Sequence, residues 1–152
     1  MRLSRRRVLQ AGTLLGISAV PGCFSGERPL TVTLLNFTDE PQRLAVELLR
    51  MDADERSDAL VLDRLYELDP RPAGGAASEL KKRDVVTSRR YFVRVQLDDD
   101  RSVTGTYRFF PDCTERDEPP EELYVKINRD GDDDEPYIGF QQSACGGEAG
   151  WF

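Results

Sequence analysis

Tyr91-Phe92-Val93-Arg94-Val95-Gln96-Leu97 decides how this chain folds. Tyr91, Val93, Val95 and Leu97 alternate with Phe92, Arg94 and Gln96, so a period of two sends one set to a core and the other towards solvent. A helix, turning every 3.6 residues, would scatter the same apolar groups around its axis.

Working outward, runs of similar length recur and are closed by Gly, Pro, Asp or Ser. Downstream, 102–110 follows the triplet Asp98, Asp99 and Asp100. Segment 123–128 sets Leu123, Val125 and Ile127 on one face, and 137–142 follows the turn signal Asp130-Gly131. Upstream, 30–37 alternates at first, and 60–68 brings Leu62, Tyr66 and Leu68 together with Arg64 as an exception. Segment 42–51 places Leu44, Val46 and Leu48 on one strand face, although Leu44, Leu48 and Met51 also recur at helical spacing. Segment 79–86 is polar and predicts an edge strand whose charges discourage pairing with other chains. Segments 69–77 and 111–122, rich in Pro and Gly or in acids, predict loops. The expectation is an all-β, single antiparallel sandwich of about 7–8 strands over 30–145, with a tether at 24–29 and a flexible C-terminal tail at 146–152.

The 152 residues suffice for one domain with a real core. Net charge is −7, but all four charges before Cys23 are positive (Arg2, Arg5, Arg6, Arg7), which leaves 17 basic against 28 acidic residues beyond it. A surface so acidic repels nucleic acid, and no nucleic-acid partner is expected. There is no histidine. That removes the usual general base, the commonest metal ligand and any Ser-His-Asp or Cys-His arrangement. A blue-copper centre is excluded for the same reason. No cofactor and no metal site is expected with any specificity.

Residues 1–23 read as an export signal: basic residues, then an apolar run from Val8 to Val20 that is too short to span a bilayer. Ser4-Arg5-Arg6-Arg7-Val8-Leu9-Gln10 resembles the twin-arginine motif that directs export of folded proteins, with Arg5 and Arg6 as the signal pair. Val8 and Gln10 stand where that motif prefers Phe and Lys. Val20-Pro21-Gly22-Cys23 resembles a lipobox, which implies a lipid on Cys23 and a protein held on the outer face of the cytoplasmic membrane. Pro21 departs from the usual small residue. With 18 Arg and three Lys among its bases, the acidic composition resembles proteins of salt-loving archaea. The strand pattern resembles the immunoglobulin-like sandwiches of small exported haloarchaeal lipoproteins. No Trp lies between Cys113 and Cys145, unlike antibody domains.

With Cys23 lipidated, Cys113 and Cys145 remain as an even pair in an oxidising compartment, and a structural disulfide is expected. A metal or redox pair is the alternative, though no C-x-x-C accompanies it. If successive strands run in opposite directions, both cysteines fall at the end where the first strand begins. The acidic connections then gather at the other end: Asp39 and Glu40, Asp98 to Asp100, and Asp130 with Asp132, Asp133, Asp134 and Glu135. Calcium is the natural ligand for such a tip, although the spacing does not match an EF-hand. Asn36-Phe37-Thr38 is an N-glycosylation sequon. Trp151 and Phe152 are expected to pack back on the domain or fray, with partner docking as the other reading. The functional expectation is a non-enzymatic accessory or interaction module that binds another cell-surface protein. The alternative is extracellular cation or ligand binding by the acidic loops.

Overall fold

The computed structural model describes residues 27–98, 101–113, 117–131 and 134–145, and among these eight strands form. They are β1 (Pro29–Asn36), β2 (Gln42–Arg50), β3 (Leu60–Leu68), β4 (Ser78–Thr87), β5 (Tyr91–Leu97), β6 (Thr104–Phe109), β7 (Glu121–Asn128) and β8 (Tyr137–Gln142). A single helical turn, α1 (Arg56–Ala59), precedes β3. No helix among the described residues is long and apolar enough to cross a membrane. Segment 42–50 is a strand, the first of its two readings.

The strands make two four-stranded sheets, ordered β4-β1-β7-β8 and β3-β2-β5-β6. Their inner faces meet in one core. Val32 and Leu34 of β1 pack with Leu44, Val46 and Leu48 of β2, Val93 and Val95 of β5, and Leu123, Val125 and Ile127 of β7. All ten are fully buried. Val93 pairs with Leu48 and Val95 with Val46, so branched aliphatic side chains line up across the seam. The predicted inward stripe of β5 is the one that forms.

The all-β sandwich is as expected, and its pairing adds one feature that was not. β1 and β7 run parallel, with Leu30 opposite Glu121 and Asn36 opposite Ile127, whereas antiparallel pairing throughout was expected. The cause is parity. Strand direction alternates along the chain, so two odd-numbered strands that become neighbours must point the same way. The strand order is also distinct: β1 and β2 lie in opposite sheets, whereas immunoglobulin constant domains keep their first two strands in one.

Each lateral seam has its own device. Between β6 and β8 the sheets approach closely enough that a Cβ on Gly105 would lie 2.8 Å from Ile138 and Phe140. Tyr107 stacks on Phe140 with ring centroids 5.4 Å apart. Strand β4 is an edge, as predicted, and its pairing with β1 slips between Leu30 and Val32. Asp84 takes up the slip at a positive φ of 52°. A bulged, charged edge resists pairing with another sheet.

Candidate functional site

Alternating strands divide the connections between two ends, and the chemistry sits there. The first end holds residue 27, the β2–β3 and β4–β5 connections, the β6–β7 loop and the exit from β8. Cys113 and Cys145 join there, with their Cα atoms 4.9 Å apart, inside the range a disulfide requires. A carboxylate oxygen of Asp112 and the two sulfurs lie within 4.8 Å of one another. Bonded to each other, those sulfurs supply no thiolate for a metal.

Two side chains hold the loop around this bridge. Glu121 is wholly buried, and its Oε1 accepts hydrogen bonds from the backbone N–H of Asp112 and Cys113, both at 2.6 Å. Its Oε2 is buried with no hydrogen-bond partner. Arg28 donates to the carbonyls of Cys113 (3.0 Å), Pro119 (2.8 Å) and Glu118. The last residues of the expected tether are therefore part of the folded domain. Glu122, one residue on, points to the opposite face. Burial pushes its carboxyl up, but hydrogen bonds from Lys81, Thr33 and Tyr124 and the charge of Lys81 outweigh that and hold it below its ordinary value.

The same end carries a cleft of about 460 Å³ lined by Met51, Asp52, Arg89, Arg90, Phe110 and Pro111. Its apolar walls are open to solvent, with Met51 40% and Phe110 46% exposed. Arg89 forms an ion pair with Glu27, and Arg50 with Asp52 at 3.1 Å. Beside the cleft, burial raises the Tyr91 phenol above its ordinary value against the opposing charges of Arg89 and Arg50. Tyr91 donates its hydroxyl proton to the Thr87 carbonyl at 2.6 Å. Volume and lining suit an apolar group that carries a negative charge. Sequence reasoning passed over this cleft. The available signal was Phe109-Phe110: Phe109 is fully buried, so alternation turns Phe110 outward.

The opposite end gathers the acidic connections, as parity required. Arg129 meets Glu40 at 2.9 Å and Asp39 at 3.9 Å, tying the β7–β8 connection to the β1–β2 turn. Arg43 meets Asp98 at 3.0 Å, and Asp130 accepts from the Tyr137 hydroxyl at 3.1 Å. Among the described residues no three carboxylates of this end converge on a point that could hold a metal ion, and Asp98, Asp130 and Asp134 form no common site. Asp99, Asp100, Asp132 and Asp133 lie outside the described residues, as do Arg5, Arg6, Cys23, Trp151 and Phe152.

Asn36, read as a glycan acceptor, is a structural cap. It is 0% exposed. Its Nδ2 donates to the carbonyls of Glu40 (2.8 Å) and Asp69 (2.9 Å), while Oδ1 accepts from Thr38 N (3.0 Å) and Thr38 Oγ1 (2.7 Å). All four hydrogen-bonding positions of the amide are filled, so the folded domain presents no free amide nitrogen for glycosylation. Scanning the chain against protein-family models finds no matching family, and comparison with curated proteins finds no significant relative.

Proposed function

We propose that this is a non-enzymatic interaction module, exported through the Arg5-Arg6 signal and held on the outer face of the membrane by a lipid on Cys23. The observation that carries the reading is the separation of the two ends. Three residues lie between Cys23 and Glu27, and Glu27 contacts Arg89 at the disulfide end. A lipid on Cys23 turns that end to the bilayer and the acid-rich end outward. The outward end is a mosaic, with Arg129 among Asp39 and Glu40 and Arg43 beside Asp98. Calcium would have to compete with these guanidinium groups, so the pairs favour contact with a surface protein of complementary mixed charge.

Replacing Cys23→Ser in the native host tests the tether. The protein moves from the membrane fraction to the medium; retention in the cytoplasm overturns the reading. A photo-crosslinker at Asp130 tests the orientation in intact cells. A single surface protein captured from Asp130, lost on Glu40→Arg and not captured from Met51, supports an outward-facing interaction end. Capture from Met51 alone reverses the orientation.

A further inference from the structure

The Met51–Phe110 cleft opens onto the outer face of the β3-β2-β5-β6 sheet, and strand register shows what stands around it. Arg50 pairs with Tyr91 and Tyr91 with Phe109, so Met51, Arg90 and Phe110 come next in line on the outward side. The Met51 N–H donates to the Arg90 carbonyl at 3.2 Å and holds that row together. In the adjoining outward row Leu49 pairs with Phe92, and Phe92 with Arg108. Two rows thus set four apolar side chains around two guanidinium groups. Met51, Phe110, Arg90 and Arg108 are exposed, and Leu49 and Phe92 are half-buried. We infer that this corner is a lipid-facing surface, whose apolar side chains enter the headgroup layer while Arg90 and Arg108 meet lipid phosphates. Which end meets the bilayer rests on the tether proposed above; the corner itself is made by the folded strands alone.

The first ground is one-sidedness. Five large apolar side chains are exposed among the described residues, and four of them (Met51, Val61, Leu65 and Phe110) lie on or directly beside the strands of this sheet. The outer face of the other sheet is polar, with Lys81 paired to Glu122 at 2.8 Å and Thr33 donating to the same carboxylate. Apolar exposure gathered on one side of a domain marks a contact surface.

Charge selects the occupant. Glu27 and Asp52 beside the cleft are already matched, by Arg89 and Arg50. Arg90 and Arg108 form no ion pair with another described residue. Unmatched cations set among apolar groups suit anionic phosphate lying over hydrocarbon. An acidic protein segment offers similar chemistry, but position favours the lipid. Glu27 pairs with Arg89, the neighbour of Arg90, so the chain enters the fold at this corner. A tether fixed ahead of Glu27 brings the corner to the bilayer first.

A photo-crosslinking side chain at Phe110 tests this in the full chain carrying Cys23→Ser, mixed with vesicles of phosphatidylcholine and phosphatidylglycerol. Intact mass should show a phospholipid adduct from Phe110 and none from Tyr137, which is equally exposed at the acidic end. Arg90→Glu with Arg108→Glu should cut the adduct about tenfold while the melting transition persists. Equal yields from Phe110 and Tyr137 overturn the inference, and so does a yield indifferent to both substitutions. In intact cells, a protein adduct at Phe110 overturns it as well and gives the corner to a protein partner. The vesicle experiment needs no lipid on Cys23, so its failure sinks the corner alone. Retention of Cys23→Ser in the cytoplasm sinks the tether alone.

Discussion

The two ends of the sandwich solve one problem, holding irregular loops over a β core, by different chemistry. At the acidic end a neutral amide does it. Asn36 is fully buried and every hydrogen-bonding position it has is used. At the opposite end a carboxylate does it. Glu121 is just as buried, yet one of its two oxygens has no partner. An unpartnered buried oxygen is unfavourable, and there the structure adds a covalent bond, Cys113 to Cys145, and the clamp of Arg28. At one end the central amide has all its hydrogen-bonding positions used, and at the other a cross-link accompanies an incompletely paired carboxylate.

The largest effect should come from the cross-link. C113A/C145A removes a bond spanning 32 residues, and loss of about 3–4 kcal/mol is expected from the chain-entropy model. Urea unfolding measures it. Hydrogen exchange should rise at Asp112 and Cys113 and stay unchanged at Phe37 and Thr38; equal loosening at both places would erase the distinction between the ends.

Asn36→Ala should follow, at about 2–3 kcal/mol, because it strands the Glu40 and Asp69 carbonyls and the Thr38 N–H. Its effect should persist in reducing agent, which the first pair of substitutions would not show. Asn36→Asp keeps the acceptor for Thr38 but sets an anionic oxygen against two carbonyls, and should be no better than Ala.

A smaller effect concerns Glu122, whose carboxyl is held below the ordinary value of 4.5. With a folded pKa lower than the unfolded one, its contribution is complete above the unfolded value. It is lost as pH falls through the folded value. Glu122→Gln should flatten the acid limb of the stability curve and leave neutral stability less affected than Asn36→Ala does. An unchanged acid limb would place the loss on other carboxylates.

Smallest is the surface pairing of the acidic end. Arg43→Ala removes contacts to Asp98 and Glu67 from a half-exposed position. It should cost about 0.2–1 kcal/mol at low salt, and less in concentrated salt. Equal loss at both ionic strengths would mean that Arg43 matters through its packing and not its charge.

How far the sequence reveals this arrangement depends on where each residue's partners lie. Val93, Leu123 and the rest of the core stripe are legible because alternation is local, and the core they predict is the one observed. The Cys113–Cys145 bond is legible as the pair left once Cys23 is set aside, and strand parity, a property of chain order, brings both to one end. Asn36 and Glu121 are not legible. Each is buried by loop backbones far away in sequence, Asp69 for one and the Asp112–Cys113 peptide for the other. Read alone, the first looks like a glycan acceptor and the second belongs to a loop spanning 111–122. The Met51–Phe110 cleft is invisible for a related reason. It needs the ends of β2 and β6 and the β4–β5 connection side by side, and only assembly of the sheets supplies that.

The parallel pair of β1 and β7 also sets an order of events during synthesis. Strand β1 is made early, but between its two neighbours the second arrives only with Glu121–Asn128. Until then Leu30 and Val32 have β4 on one side and nothing on the other. A polypeptide released before residue 128 lacks part of β7 and so leaves one edge of β1 incompletely paired, an opening for association with other chains that the finished sheet closes.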